Sequence, residues 1–425
     1  MLFIGINYAP EPTGISPYTT GMAEGLAARG HHVRAITSYP HYPWWRIPAE
    51  YDSLPAHSTV NGVELTRVRH RIPNAPGTLS RALFEASFGL RALFSRWGDP
   101  RVVVLVSPAL IASRIVAARA RLRRIPVITW VQDIYTLGVA ETSDGGGTGL
   151  AGRLIARLER GLADAGDRVV VIHDRFRRMF IEGVGTSSPV DVVRNWSHVP
   201  DISAANRAET RRRLGWSDDE IIVLHAGAMG AKQGLDNVVH AAREATRRGS
   251  RVRFVLLGDG NQRAHLESLG ADPSLQFIAP LPDDQFFAAL AAADALLANE
   301  RPGLTELSVP SKLTTYFATG LPVVAAVDAS STTHDEIVAS GAGPVVPAGD
   351  PAALVDAIEA LAADPDAAAR HGAAGRAYRA AHLTPEAAVD AFERTIAAAT
   401  GTPARVQAGP RESAAVSDQP LAAGG

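Results

Sequence analysis

The sequence predicts an α/β protein built from two doubly wound parallel sheets that face each other across a cleft. Three observations predict it. Short, continuous apolar runs rich in β-branched residues alternate with amphipathic helical stretches, the pattern of parallel strands covered on both faces. A polar stretch, "NWSHVPDISAANRAETRRRLGW" at 195–216, interrupts the alternation near the middle. And 425 residues exceed what one hydrophobic core organises, so two domains of ordinary size are expected.

In the first half the strand candidates are "LFIGINY", "HVRAIT", "VELTRV", "VVVLV", "PVITWV", "RVVVI" and "VDVV". In the second they are "IIVLHAG", "VRFVLLG", "LQFIA", "ALLAN", "PVVAAV" and "GPVVPAG". Helical crossovers between parallel strands are right-handed almost without exception, so each half reads as a Rossmann-like layer. The expected division is 1–198, 199–384, a helix at 385–400 that packs back on the first half, and a tail at 401–425. The tail is poor in aromatics and rich in Pro, Gly and Ser, a composition expected to be disordered.

Composition excludes several classes. Apolar residues make up 46% and charged residues 20%, as in a soluble globular protein rather than a disordered chain. A net charge of −2 gives no case for nucleic acid as a partner. There is no cysteine, which excludes disulfides and thiolate chemistry. "MLFIGINYAP" runs straight into a strand without a basic n-region, so no signal peptide is read, and no apolar run reaches the ~20 residues of a membrane span. A cytoplasmic protein is expected, with room for a peripheral membrane contact.

The basic residues carry the first chemical signal. Of 42 Lys and Arg, only Lys232 and Lys312 are lysines. The two cations are interchangeable on a solvated face but not beside a phosphate, where a compact ammonium and a planar fork differ. Lys312 lies in "PSKLTTYFATGLPVVAA", where Ser311 can cap a helix that buries Leu313, Tyr316 and Phe317 and ends at Gly320. The free N–H groups after Ser311 form an anion site to which Lys312 adds charge; the plain alternative is a capped helix with an exposed lysine. Lys232 lies in "HAGAMGAKQGLDNVVHAA", a Gly-rich loop (Gly227, Gly230, Gly234) between a strand and a helix. Such loops let backbone N–H groups approach a phosphate, although G-x-x-x-x-G-K-[ST] is absent. Both lysines sit in strand-to-helix loops of the second half, which points to a phosphate-bearing ligand.

Other loops add less. "LLGDGNQ" ends a strand at Gly258-Asp259-Gly260, a tight turn or a ligand loop. "GINYAPEPTGISPYTT" opens the chain with Gly14 before a helix, but without the GxGxxG of a dinucleotide site. Asp133 in "WVQDIYTLG" can be an acid, a base, a hydroxyl ligand or a helix cap. Glu306 upstream of Lys312 can meet a sugar or ribose hydroxyl, or be a solvated loop carboxylate. No His/Asp cluster has metal spacing, and "DPD" at 364–366 joins two Ala-rich helices, so no metal or cofactor is expected.

Residues 78–98, "TLSRALFEASFGLRALFSRWG", carry Leu79, Leu83, Phe84, Phe88, Leu90, Leu93, Phe94 and Trp97 with Arg81, Arg91 and Arg96. An aromatic stripe at helical spacing is core by default. This one is wide and bordered by arginine, so a membrane-surface or lipid-acceptor face is the alternative.

Taken in order, "NYAPEPTGISPYT…LAARGHHVRAIT", "TWVQDIY", "VVRNW", "GAMGAKQGLDNVVHAA", "VLLGDG" and "VPSKLTTYFATGLPVVA" resemble a known family. The chain is similar to family-4 retaining glycosyltransferases of the GT-B fold, of the kind found in capsule, colanic-acid and O-antigen gene clusters. The resemblance implies an acceptor site in the first domain, a nucleotide-sugar donor, a UDP-sugar, held by the second, and no metal. It implies a hexosyltransferase or N-acetylhexosaminyltransferase acting on a lipid-linked or saccharide acceptor. It places Lys232 at the donor diphosphate, Gly258–Gly260 near the nucleoside, Gly227 among the donor-binding residues, and Ser311, Lys312, Leu313 and Thr315 at a helix end facing the donor. Gly14 would approach both substrates, while Glu306 and Asp133 would be the acidic site residues.

Three departures from the family pattern stand out. The usual Arg–Lys pair of the 227–232 loop is Lys232 alone. The second acid of Glu-x7-Glu falls on Thr314 or Thr315. The histidine of the first-domain strand loop is Gln132. A nucleotide-sugar 2-epimerase of the same architecture, or a nucleotide-sugar binder without turnover, are the rival readings.

Overall fold

The computed structural model describes residues 1–11, 14–74, 77–107, 109–132, 150–197, 199, 202, 206–303 and 311–402, without the side chains of Thr78, 150–155 and Ser311. The first sheet comprises β1 (Leu2–Ile4), β2 (Val33–Ser38), β3 (His57–Val60), β4 (Val63–Val68), β5 (Val103–Ser107), β6 (Val127–Val131), β7 (Arg168–Val171) and β8 (Val190–Val192). Its spatial order is β3-β4-β2-β1-β5-β6-β7-β8. The second sheet holds β9 (Ile221–Ala226), β10 (Val252–Leu257), β11 (Leu275–Ile278), β12 (Ala295–Asn299), β13 (Val323–Ala326) and β14 (Val345–Val346), ordered β11-β10-β9-β12-β13-β14. The second order is the doubly wound 3-2-1-4-5-6 pattern, and the first repeats it with extra strands at both edges.

The chemistry of the strands explains the layering. All five residues of β5 and of β12 are buried, as central strands roofed by helices on both sides must be. Every described pairing is parallel except β3 with β4. The first strand of that hairpin, β3, was not among the expected strands. Its signal is Asn61-Gly62, both with positive φ (48° and 81°), a two-residue turn that favours this dipeptide. β3 is nearly all exposed, so it lacks the apolar run by which its neighbours are recognised.

The helix Thr78–Phe94 divides the aromatic stripe of residues 78–98. Phe84, Phe88, Ala92 and Trp97 enter the first core, while Leu79 (74% exposed), Leu83, Leu90 and Phe94 (83% exposed) face outward. The stripe is thus split, a packed half in the core and a wetted half outside it.

The chain crosses between the layers after β8 and returns at 383–385. The Ser197 N–H donates to the Leu383 carbonyl at 3.0 Å, joining the two crossings. The helix Pro385–Thr400 then lays Val389, Phe392 and Ile396 into the core of the first sheet beside Phe3, Met22 and Trp130. Arg29 reinforces this contact through Asp390 (2.5 Å) and Glu393 (2.8 Å). Among the described residues no helix is long and apolar enough to cross a membrane.

Candidate functional site

In a doubly wound sheet the two strands at which the order reverses splay their following loops apart, leaving a crevice at their carboxyl ends. In the second sheet those strands are β9 and β12, and the Lys232 loop follows β9. Lys232 is exposed within the short 3-10 turn Ala231–Gln233. The crevice itself holds the loop. Asn299, at the end of β12, donates to the Gln233 carbonyl (2.7 Å) and the Gly234 carbonyl (3.0 Å), and accepts from Asn237 (2.8 Å). The Arg301 N–H donates to the Lys232 carbonyl at 3.0 Å. The lysine therefore rides on a backbone fixed at its own carbonyl and at the next two, which limits the entropy lost when it takes a ligand.

The Gly258–Gly260 turn lies directly against this loop. The Gly227 N–H donates to the Leu257 carbonyl and the Met229 N–H to the Asp259 carbonyl, both at 2.9 Å. A Cβ on Gly258 would stand 2.0 Å from the Gly227 carbonyl oxygen, and one on Gly260 2.4 Å from that of Met229. Glycine here is demanded by the approach of two backbones. The Asp259 carboxylate accepts from the Gly260 N–H at 2.8 Å and so shapes its own turn.

Lys312 reaches the same strand end from another element. It stands half-buried in the first turn of the helix Ser311–Thr319, which docks through buried Leu313, Tyr316 and Phe317, while Thr315 is half-buried. His225, the residue before the end of β9, is fully buried and its pKa is held well below the ordinary value, first by burial and then by the positive charge of Lys312. Gly227, Lys232, Gly258, Asp259, Gly260, Lys312, Leu313 and Thr315 are thus gathered around the carboxyl ends of β9 and β10. Glu306 and Asp133 lie outside the described residues, as does the side chain of Ser311.

On the first sheet, Gly14 has φ +69° and a Cβ there would touch the Tyr42 ring at 3.5 Å. The loops after β1 and β2 are bound together by one buried carboxylate. Glu11 is 3% exposed and accepts from the His41 N–H (2.7 Å), the Tyr42 N–H (3.0 Å) and Asn7 (2.8 Å). Gln132 is also buried and accepts from Asn195 at 2.9 Å, so two of the sequence signatures, "TWVQDIY" and "VVRNW", meet.

A third cluster links the two layers. His173 follows β7 and Glu336 lies in the helix Thr332–Ser340; each side chain is 2% exposed and they meet at 2.9 Å. Arg194 completes the cluster at the same carboxylate. Burial raises the Glu336 carboxyl, but the His173 hydrogen bond and the Arg194 charge outweigh it and hold the pKa below the ordinary value.

Residues 13–196 match the model of a glycosyl transferase 4-like domain, and residues 220–364 match that of glycosyl transferases group 1. A relative from Escherichia coli K12, named for colanic acid biosynthesis glycosyl transfer, is 31% identical over 334 residues, which span 75% of this chain and 81% of the relative. This chain is a GT-B glycosyltransferase of the family-4 type. A GDP-mannose-dependent phosphatidylinositol monomannoside mannosyltransferase of Mycolicibacterium smegmatis is 26% identical over 88% of this chain and 92% of its own. Among solved structures, Anabaena HepE in complex with UDP aligns with a TM-score of 0.64 at 16% identity, covering 93% of this chain and 99% of that one. At that identity the likeness concerns the fold.

Sequence reasoning about this glycosyltransferase passed over Glu11, Arg301 and the His173–Glu336–Arg194 cluster. Glu11 stands in the quoted "NYAPEPTG" but resembles any loop carboxylate until its burial is seen. Arg301 is separated from Lys232 by six elements, and only the β9–β12 pairing brings its backbone alongside.

Proposed function

We propose that this glycosyltransferase moves a sugar, with retention of anomeric configuration and without a metal, from a UDP-sugar to a lipid-linked or saccharide acceptor in cell-surface polysaccharide biosynthesis. The observation that carries the donor assignment is the convergence of both lysines on the carboxyl end of β9. The complexes of HepE with UDP and with UDP-glucose support a nucleotide-sugar donor, and the colanic-acid relative supports the pathway class. In this reading residues 199–384 hold the donor and 1–198 the acceptor, while the 385–400 helix ties the first layer to the second.

Each residue then has a task. Lys232 and Lys312 meet the diphosphate, helped by the N–H groups that open the Ser311–Thr319 helix near Leu313 and Thr315. Arg301, whose backbone adjoins Lys232, supplies the second cation that the family motif places beside the lysine. Gly227 and the Gly258-Asp259-Gly260 turn leave space for the nucleoside. Glu306 contacts sugar or ribose hydroxyls. Gly14 and Asp133 border the acceptor.

Charge develops on the departing diphosphate, and fixed cations and helix N–H groups stabilise it there without reorganising. The leaving phosphate oxygen takes the proton of the acceptor hydroxyl as the new C–O bond forms on the face from which the old one breaks. No enzyme nucleophile is needed.

A thermal-shift screen of UDP-, GDP- and ADP-sugars tests the donor class, because a ligand that binds only the folded state raises its midpoint. A shift with UDP-sugars supports the reading; a shift confined to GDP-sugars moves the nucleobase, and none at all removes the donor site.

A further inference from the structure

Thr333 and Glu336 lie three residues apart in the helix Thr332–Ser340, both buried. That spacing makes them neighbours on the helix surface, about 4.5 Å apart along its axis. Each holds a different layer. Glu336 meets His173 and Arg194 of the first, while the Thr333 hydroxyl donates to the Glu300 carboxylate of the second.

The first-layer contact is built for one arrangement. His173 caps the helix Asp174–Arg178, its Nδ1 accepting from the Arg175 N–H at 3.1 Å, so the ring proton lies on Nε2 and is donated to Glu336. Arg194 brings the charge, and its other terminal nitrogen reaches Asp174 at 3.4 Å. A buried ion pair gains little stability over an apolar contact, yet losing one partner strands the other. What it fixes here is position: a carboxylate that must meet two partners at once leaves the helix one place to sit.

The second-layer contact leads to the donor lysine. Glu300 is the middle residue of Asn299-Glu300-Arg301 at the end of β12, and its N–H donates to the Ala326 carbonyl at 3.0 Å. Its two neighbours are the residues that grip the Lys232 loop, Asn299 at the Gln233 and Gly234 carbonyls and Arg301 at the Lys232 carbonyl. The grip is close: a Cβ on Gly234 would stand 2.7 Å from the Arg301 Cα. Backbones packed this tightly move together, so a displaced Glu300 carries the Lys232 backbone with it.

We infer that Thr333 and Glu336 are positioning residues for Lys232. His173 and Arg194 set the helix Thr332–Ser340 through Glu336, and the Thr333–Glu300 hydrogen bond passes that setting to the clamp that holds the lysine at the donor diphosphate. The inference rests on the proposed place of Lys232 and deepens it. It makes the lysine's position depend on the first layer, the side assigned above to the acceptor.

The test is the affinity of the full chain for UDP and for GDP, measured by calorimetry. Binding about five-fold weaker is expected in Thr333→Val and in Glu336→Gln, while Thr333→Ser keeps the hydroxyl and should bind close to the parent. Lys232→Ala should weaken binding about ten-fold. In that background Thr333→Val should add less than about two-fold, because it acts through the missing ammonium. A residue that only supports the fold would give the same loss with or without Lys232. Arg178→Gln removes the Arg178–Asp335 pair (3.1 Å) on the same helix and should leave binding unchanged. Parental affinity in Thr333→Val, full additivity with Lys232→Ala, or an equal loss in Arg178→Gln would each overturn the inference. If Glu336→Gln does not fold, the Thr333 variants, which remove no charge, decide it. A parent that binds neither nucleotide, or unchanged binding in Lys232→Ala, removes the donor reading and this inference with it. Parental binding in Thr333→Val beside a weakened Lys232→Ala removes the inference alone.

Discussion

The hydroxyl of Tyr316 accepts from the Ala226 N–H at 2.9 Å and donates to the Ala226 carbonyl at 3.1 Å. One buried side chain thereby pins the helix that carries Lys312 to the strand whose following loop carries Lys232. Removing only the hydroxyl tests this coupling. Tyr316→Phe leaves the ring in place and orphans a buried N–H, at a cost of about 1–3 kcal/mol. A lower unfolding midpoint with a smaller nucleotide-sugar shift is expected; a fully stable variant with normal donor binding would deny the coupling.

The glycine turn gives a sharper steric prediction. Gly258→Ala must push a methyl group towards a carbonyl oxygen that stands 2.0 Å from its ideal position, at φ +141°. The backbones must part, with an expected loss of about 1–3 kcal/mol and of donor affinity together. Gly249→Ala, also at positive φ but with nothing within 4 Å of its added Cβ, serves as the comparison and should keep donor affinity.

Glu11 is expected to govern the acceptor side. Glu11→Ala leaves the His41 and Tyr42 N–H groups without their carboxylate, so the loop that carries Tyr42 loosens. The acceptor KM should rise while the donor thermal shift is retained. An unchanged acceptor KM would detach this carboxylate from function.

Stability should fall on mild acidification. His70 is pushed down to about 3, by burial and then by the charge of His41, and His225 is also depressed. Both are neutral in the fold, whereas an unfolded histidine takes a proton near pH 6.5. The unfolded state therefore binds more protons below pH 6.5, and stability present above that pH is lost as it drops, down to about pH 3 for His70. At pH 5 His70 contributes about 2 kcal/mol to this loss, and His225 acts in the same direction. Unfolding midpoints measured from pH 7 to pH 5 should decline, and His70→Gln should flatten the decline; a midpoint independent of pH would contradict the assignment.

How much of this was legible in the sequence follows from locality. Apolar runs such as "VVVLV" and "ALLAN" reveal buried parallel strands because every residue in them reports the same environment. The β3 edge strand reports none, and only Asn61-Gly62 marks it. Both faces of the Thr78–Phe94 helix are apolar, so periodicity could not separate its core stripe from its outer one. The two lysines stood out by contrast with a chain of arginines. The Glu336–Arg194 pair spans 142 positions, and no spacing rule links such residues before the fold does.

The account rests most heavily on Lys232. Its ammonium sits on a loop fixed by Asn299 and by the Arg301 N–H, so removing it should leave folding intact. It should weaken stabilisation of the departing diphosphate by about 3 kcal/mol, or about two orders of magnitude in rate. Lys232→Arg should rescue poorly, because a planar fork does not replace a point charge in a tight turn. The direct measurement is nucleotide-sugar-dependent transfer by the parent, Lys232→Ala and Lys232→Arg, with thermal unfolding alongside. The account predicts equal unfolding midpoints and a roughly hundred-fold loss of turnover in Lys232→Ala. Near-parental turnover with unchanged donor affinity would contradict it.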